Sequence, residues 1–94
     1  MIRNLAGQAV GAEVVNAGSG AAFVGTVTVY VTVDGGVQAL GTVGAGVATA
    51  EGNGLFTYLP SAAETDGLLV AFTFIGTGAI PSTVQMTTIP TRRV

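Results

Sequence analysis

VGTVTVYVTV, residues Val24–Val33, is the stretch whose reading decides the fold. Val27, Val29, Val31 and Val33 share one face, and Thr26, Thr28, Tyr30 and Thr32 share the other. Apolar residues at every second position, in a β-branched and aromatic run, describe a half-buried strand. Asp34-Gly35-Gly36 follows at once. Asp-Gly accepts the positive φ angles of a two-residue hairpin turn, so the chain is expected to fold back here. The returning strand is Val37–Val43 (VQALGTV), with Val37 and Ala39 on a common face, and Gly44-Ala45-Gly46 ends it.

The same reading extends both ways. Gln8–Asn16 places Val10, Ala12 and Val14 on one face and predicts a first strand, followed by a loop over Asn16–Gly20. After a short piece, Val47–Ala50, the residues Glu51-Gly52-Asn53-Gly54 form a second turn, because Gly and Asn accept left-handed backbone. Leu55–Leu59 (LFTYL) is the next strand, with Phe56 and Tyr58 on one face, and Pro60 stops it. Ser61-Ala62-Ala63-Glu64 has the capping-box spacing and predicts one short helical or 3-10 turn, ended by Asp66-Gly67. Leu68–Ile75 (LLVAFTFI) turns Val70, Phe72 and Phe74 inward. Gly76-Thr77-Gly78 reverses the chain, and Ser82–Ile89 (STVQMTTI) turns Val84 and Met86 inward. About seven short strands, spaced by turn signals roughly every 8–12 residues, form the pattern of an all-β antiparallel sandwich. It spans 8–89, with an N-terminal arm over 1–7 and a C-terminal tail over 90–94.

Composition narrows the function. Ninety-four residues make one domain. Only 9% are charged, against about 25% in an ordinary soluble domain. There is no histidine, cysteine, tryptophan or lysine, which removes a thiol nucleophile, a disulfide framework, the usual zinc site and any His-based acid/base pair. A net charge of -2 with three arginines argues against nucleic acid binding. The charge-free run from Gly67 to Thr91 is interrupted by Gly76, Gly78, Pro81 and Pro90 and alternates, unlike a spanning helix of ~20 apolar residues. MIRNLAGQAVGAEVV lacks the apolar segment of ~7–15 residues that a signal peptide needs. What remains is an ordered β protein with an unusually apolar surface, of the kind a partner covers. A domain this small gains from a staple; without disulfide or metal, the expectation is a homo-oligomer.

The five acids are the chain's carboxylates, and two of them at the right separation would suffice for hydrolytic chemistry. Glu51 and Glu64 flank one strand, and Asp34 and Glu51 lie in separate turns, so each reads as a turn former or cap. In that role, changing Glu51 or Glu64 to Gln should cost ~0.5–2 kcal/mol and no activity. Calcium on Glu51, Asn53, Glu64 and Asp66 would need at least ~6 oxygen ligands, and no EF-hand-like loop supplies them. Gly44-x-Gly46 and Gly52-x-Gly54 do not open a helix after a strand, as a phosphate loop would. Tyr30 and Tyr58 are the candidates for a sugar-stacking platform, and Arg92-Arg93 for a contact with an acidic neighbour.

From Gly54 to Thr65 (GLFTYLPSAAET), the aromatic strand and capped turn, followed by an apolar strand, resemble the small Ig-like modules of tailed-bacteriophage structural proteins. VYVTVDGG (Val29–Gly36), EGNG (Glu51–Gly54) and FTFIGTGAIPSTVQ (Phe72–Gln85) are similar to one such family in the same order, from about Asn4 to Thr88. The resemblance implies an Ig-like sandwich in a virion, made in the bacterial cytoplasm, and transfers no catalytic residue and no cofactor. The expected role is a non-enzymatic capsid decoration or cement protein bound to other virion proteins, the major capsid protein foremost. Alternatives are a neck or tail-fibre accessory module or, in a different class, a carbohydrate-binding adhesion module. Ile2, Arg3, Leu5, Tyr30, Ile89, Arg92 and Arg93 are the expected partner contacts, with neither nucleic acid nor membrane as a partner.

Overall fold

Val27, Val29 and Val31 are buried as the alternation requires, and the strand they define lies inside the larger of two sheets. The structure, a computed structural model, describes residues 1–90. Its strands are β1 (Val10–Glu13), β2 (Thr28–Val33), β3 (Ala39–Leu40), β4 (Thr49–Gly52), β5 (Leu55–Tyr58), β6 (Leu69–Ile75) and β7 (Ser82–Thr87). They form an antiparallel three-stranded sheet, β1-β5-β4, and an antiparallel four-stranded sheet, β3-β2-β6-β7. This is the strand order of an immunoglobulin-type sandwich that lacks a regular first strand.

Both tight hairpins follow from their turn residues. Asp34 and Gly35 have φ of 51° and 71°, and the Gly36 N–H donates to the Val33 carbonyl at 2.9 Å. Asn53 and Gly54 have φ of 54° and 86° and join β4 to β5. Positive φ at both central residues matches the twist of the flanking strands, which is why Asp-Gly and Asn-Gly stand there.

The core lies between the sheets. Val70, Phe72 and Phe74 of β6 pack with Val27, Val29 and Val31 and with Val10, Ala12, Val14, Phe56 and Tyr58 of the facing layer. Each fully buried side chain of this kind contributes roughly 1.5–3 kcal/mol. Val84 and Met86 of β7 do turn inward, yet they are only half-buried, because they lie at the margin of the core.

Four expectations change in detail. The strand expected over Val37–Val43 contracts to Ala39–Leu40, and Val37 is 94% exposed in the turn. A second 3-10 turn, Val43–Gly46, replaces its far end, with positive φ at Gly44, Ala45 and Gly46. The piece expected over Val47–Ala50 is shifted: Val47 bridges Thr28 at the end of the larger sheet, and β4 begins only at Thr49, after the chain crosses to the smaller sheet.

The arm is the fourth. Met1–Gly7 does not lie apart from the sandwich: Ile2 pairs in parallel with Ile89, the Arg3 N–H donates to the Ile89 carbonyl, and the Ile89 N–H donates to the Met1 carbonyl. The Asn4 N–H donates to the Thr65 carbonyl and the Leu5 N–H to the Thr65 hydroxyl. Gln8 clips the arm to itself, accepting from the Ile2 N–H and donating to the carbonyls of Ile2 and Leu5. The arm's order therefore needs no neighbouring chain.

Candidate functional site

The capping box forms as its spacing predicts. The Ser61 N–H donates to Glu64 Oε1 at 2.9 Å and the Glu64 N–H donates to Ser61 Oγ at 3.3 Å, closing the 3-10 turn Ala63–Thr65. Glu64 does more than cap, however. Its side chain is buried, Oε1 also accepts from the Tyr58 hydroxyl at 2.8 Å, and Oε2 accepts from the Thr42 N–H at 2.9 Å. The Tyr58 oxygen in turn accepts from the Val43 N–H at 3.2 Å. One carboxyl group thus ties β5, the capped turn and the crossover after β3. Burial pushes the Tyr58 phenol above its ordinary pKa.

Gly41 belongs to this cluster. A Cβ there would lie 2.6 Å from the Tyr58 oxygen and 3.1 Å from the Val29 carbonyl, so the close approach requires glycine. Spacing reveals the Ser61–Glu64 half of the cluster and misses Thr42 and Tyr58. An inward-facing tyrosine is the available signal, since its buried hydroxyl needs a partner.

The other acids are engaged separately. Asp34 Oδ1 accepts from the backbone N–H groups of Leu69 at 3.0 Å and Leu68 at 2.8 Å, and these donors hold its carboxyl below the usual carboxylate range. Glu51 accepts from the Thr57 hydroxyl at 2.7 Å, and Asp66 pairs with Arg3 at 2.9 Å. Glu51, Glu64 and Asp66 are thus bound up in different contacts, and among the described residues no three carboxylates, histidines or cysteines converge on one point. No helix of the described residues is long and apolar enough to cross a membrane.

Two apolar hollows indent the surface. One of about 310 Å³ lies between the Ala22–Gly25 segment and the β4–β5 hairpin, against Phe23, Leu55 and Phe56. Another of about 230 Å³ is lined by Val31, Val33, Val37 and Leu40, with Glu64 at its margin. Tyr30 borders neither. It stands half-buried on the outer face of the larger sheet, beside Leu40 on β3 and Thr73 on β6.

That outer face is continuous across β2, β6 and β7. Thr28, Tyr30 and Thr32 of β2, Ala71, Thr73 and Ile75 of β6, and Thr83, Gln85 and Thr87 of β7 form it, without a charge among them. Its polar groups are hydroxyls and amides, linked in part by Gln38 to Thr73 at 3.3 Å and Thr73 to Thr83 at 3.1 Å. The outer face of the smaller sheet carries Glu13 and Glu51 instead.

The expected contact residues are scattered relative to it. Tyr30 is on the uncharged face, whereas Ile2, Arg3 and Leu5 belong to the docked arm and Ile89 pairs with it, with Leu5 and Ile89 exposed. Arg92 and Arg93 lie outside the described residues. No protein-family model, curated protein or solved structure matches this chain.

Proposed function

We propose that this chain is a non-enzymatic structural protein of a tailed-phage virion, a decoration protein that lies on the capsid and contacts its major shell protein. The observation that carries this reading is the uncharged outer face of β2, β6 and β7. A monomer living alone in water spreads both signs over its surface and keeps apolar patches small. A charge-free sheet face, with Tyr30 and Leu40 among threonines, suits burial against a large neighbour instead. The resemblance of its motifs, in their order, to those of Ig-like phage modules adds the virion to that argument. The buried Glu64–Tyr58 pair serves architecture in this reading, because its hydrogen bonds are spent within the fold.

The test is co-sedimentation with phage heads assembled without this protein. The native chain should pellet with the heads. Thr73→Arg, at the middle of the face, should lower the affinity by about tenfold or more, roughly 1.4 kcal/mol, with an unchanged far-UV spectrum. A native chain that stays in the supernatant, or a variant that binds as tightly as the native chain, would remove the proposal's support.

A further inference from the structure

The chain has three asparagines, Asn4, Asn16 and Asn53, and the structure holds the peptide nitrogen after each one differently. That nitrogen lies one ring closure away from the asparagine's own side-chain carbonyl carbon. Its hydrogen bonds and its substituents decide whether the two meet. The Leu5 N–H donates to the Thr65 hydroxyl at 3.1 Å, and the Ala17 N–H donates to the Gly78 carbonyl at 3.0 Å. Both nitrogens are engaged, and both belong to residues whose side chains crowd an attack. After Asn53 stands Gly54, which has no side chain, and among the described residues no hydrogen bond engages its N–H. The Asn53 side chain is equally free, whereas Asn16 Nδ2 donates to the Ala22 carbonyl at 3.4 Å.

The hairpin around Asn53 moves on one side only. Gly54 is anchored, because its carbonyl accepts from the Val14 N–H at 2.8 Å. Asn53 is exposed and follows β4, the edge strand of the smaller sheet. All four residues of β4 are exposed, and its pairing with β5 shifts register between Ala50 and Gly52. Opening such a strand uncovers little apolar surface, so local openings concentrate there. Each opening releases Asn53 from the φ of 54° that the closed turn imposes and lets its side chain swing toward the Gly54 nitrogen.

We propose that Asn53-Gly54 is a self-modifying site that converts to aspartate and isoaspartate. The Gly54 nitrogen gives its proton to solvent hydroxide and bonds to Asn53 Cγ; the Cγ–Nδ2 bond breaks, and that nitrogen leaves as ammonia. The five-membered imide then takes up one water. Addition at Cγ restores the ordinary backbone with an aspartate. Addition at the Asn53 backbone carbonyl leaves an isoaspartate, whose main chain runs through Cβ and Cγ. The sum is amide plus water giving carboxylate plus ammonium, with no oxidant or reductant.

The two products part in the turn. Aspartate keeps the conformation, as Asp34-Gly35 does at the chain's other tight hairpin with φ of 51° and 71°. Isoaspartate adds a main-chain carbon inside a two-residue turn, so the Gly52–Leu55 pairing and the Gly54–Val14 bond are no longer both kept. Either product adds a negative charge to a net charge of -2, at the rim of the hollow against Phe23, Leu55 and Phe56. The site lies on the smaller sheet and stands independently of the virion reading.

The test holds the native full chain in warm, mildly alkaline buffer beside a synthetic peptide of residues 52–64 and follows both by mass. The chain's mass should rise once, by the difference between a hydroxyl and an amino group. Cleavage after glutamate should place the gain in the 52–64 fragment, split into two species of equal mass. One of them should accept a methyl group from an isoaspartyl methyltransferase. The fragments 1–13 and 14–51, which hold Asn4 and Asn16, should keep their mass. Asn53→Gln, which must close a six-membered ring, should stay unmodified over the same interval. Asn53→Asp should melt with the native chain, and the isoaspartate form below both. A native chain unchanged after the peptide has fully converted, a gain in fragment 1–13 or 14–51 in place of 52–64, or an Asn53→Gln chain that gains mass in 52–64 as fast as the native one would each overturn the proposal.

Discussion

Asp34 and Glu64 are two acids at two turns, each expected from local spacing alone, and they end in opposite surroundings. Asp34 stays exposed and secures a hairpin by accepting two backbone N–H groups from the start of β6. Glu64 is buried and receives donors from three separate parts of the chain. A turn signal therefore says where the chain bends and is silent on how much of the structure hangs from the bend. Burial decides that, because a donor cut off from water loses more when its acceptor is removed.

The contrast is broken most severely by Glu64→Ala. It leaves the N–H groups of Ser61 and Thr42 and the hydroxyl of Tyr58 without their acceptor and should cost about 2–4 kcal/mol in urea unfolding. Glu64→Gln should fall between that and the native chain. It keeps one acceptor oxygen but turns an NH₂ toward one of the donors. A loss within the ~0.5–2 kcal/mol of an ordinary cap for Glu64→Ala would show that the buried contacts add nothing.

Gly41→Ala sharpens the comparison from the other side of the cluster. Its Cβ collides with the Tyr58 oxygen and should cost about 1–3 kcal/mol by overpacking. In the Tyr58→Phe background, which removes that oxygen, the same change should cost less, giving a double-mutant coupling above about 0.5 kcal/mol. Additive losses would place the clash at the ring carbon Cζ of residue 58 and the Val29 carbonyl, which Tyr58→Phe leaves in place.

The smallest effects appear at the extremes of pH. Asp34 has a lowered pKa, so its contribution is complete above the ordinary carboxylate value and is lost as the pH falls through the lowered one. Asp34→Ala should flatten the acid limb of stability against pH and lower stability at pH 7 less than Glu64→Ala does. Tyr58 has a raised pKa, so its contribution is complete below about 10 and is lost as the pH climbs through the raised value. Tyr58→Phe should flatten the alkaline limb and leave the acid limb as it is.

Most of the sandwich was legible because its signals are local. Alternation at Val27, Val29 and Val31 and at Val70, Phe72 and Phe74 marks a buried face within one strand. Asp34-Gly35, Asn53-Gly54 and Ser61–Glu64 act over two or three residues. The Glu64–Thr42 bond joins parts 22 residues apart, and the Leu5–Thr65 bond joins parts 60 apart. Such contacts leave no period in the sequence. Val37 misled for a related reason: alternation reports a strand's two faces, and at an edge with a short ladder neither face is covered. The uncharged outer face was legible as a deficit of charge, but only the register of β2, β6 and β7 collects that deficit on one surface.

The docked arm imposes an order of events on biosynthesis. Met1–Gly7 leaves the ribosome before any of its distant partners, Thr65, Asp66 and Ile89, has been made. Until then the arm has only the Gln8 clip, which closes over a few residues and needs nothing downstream. Closing a loop across almost the whole chain is among the slowest contacts to form, and it comes after the strands between have paired. A segment made before its partners is thus among the last to settle, and it joins the sheet once β7 stands beside β6.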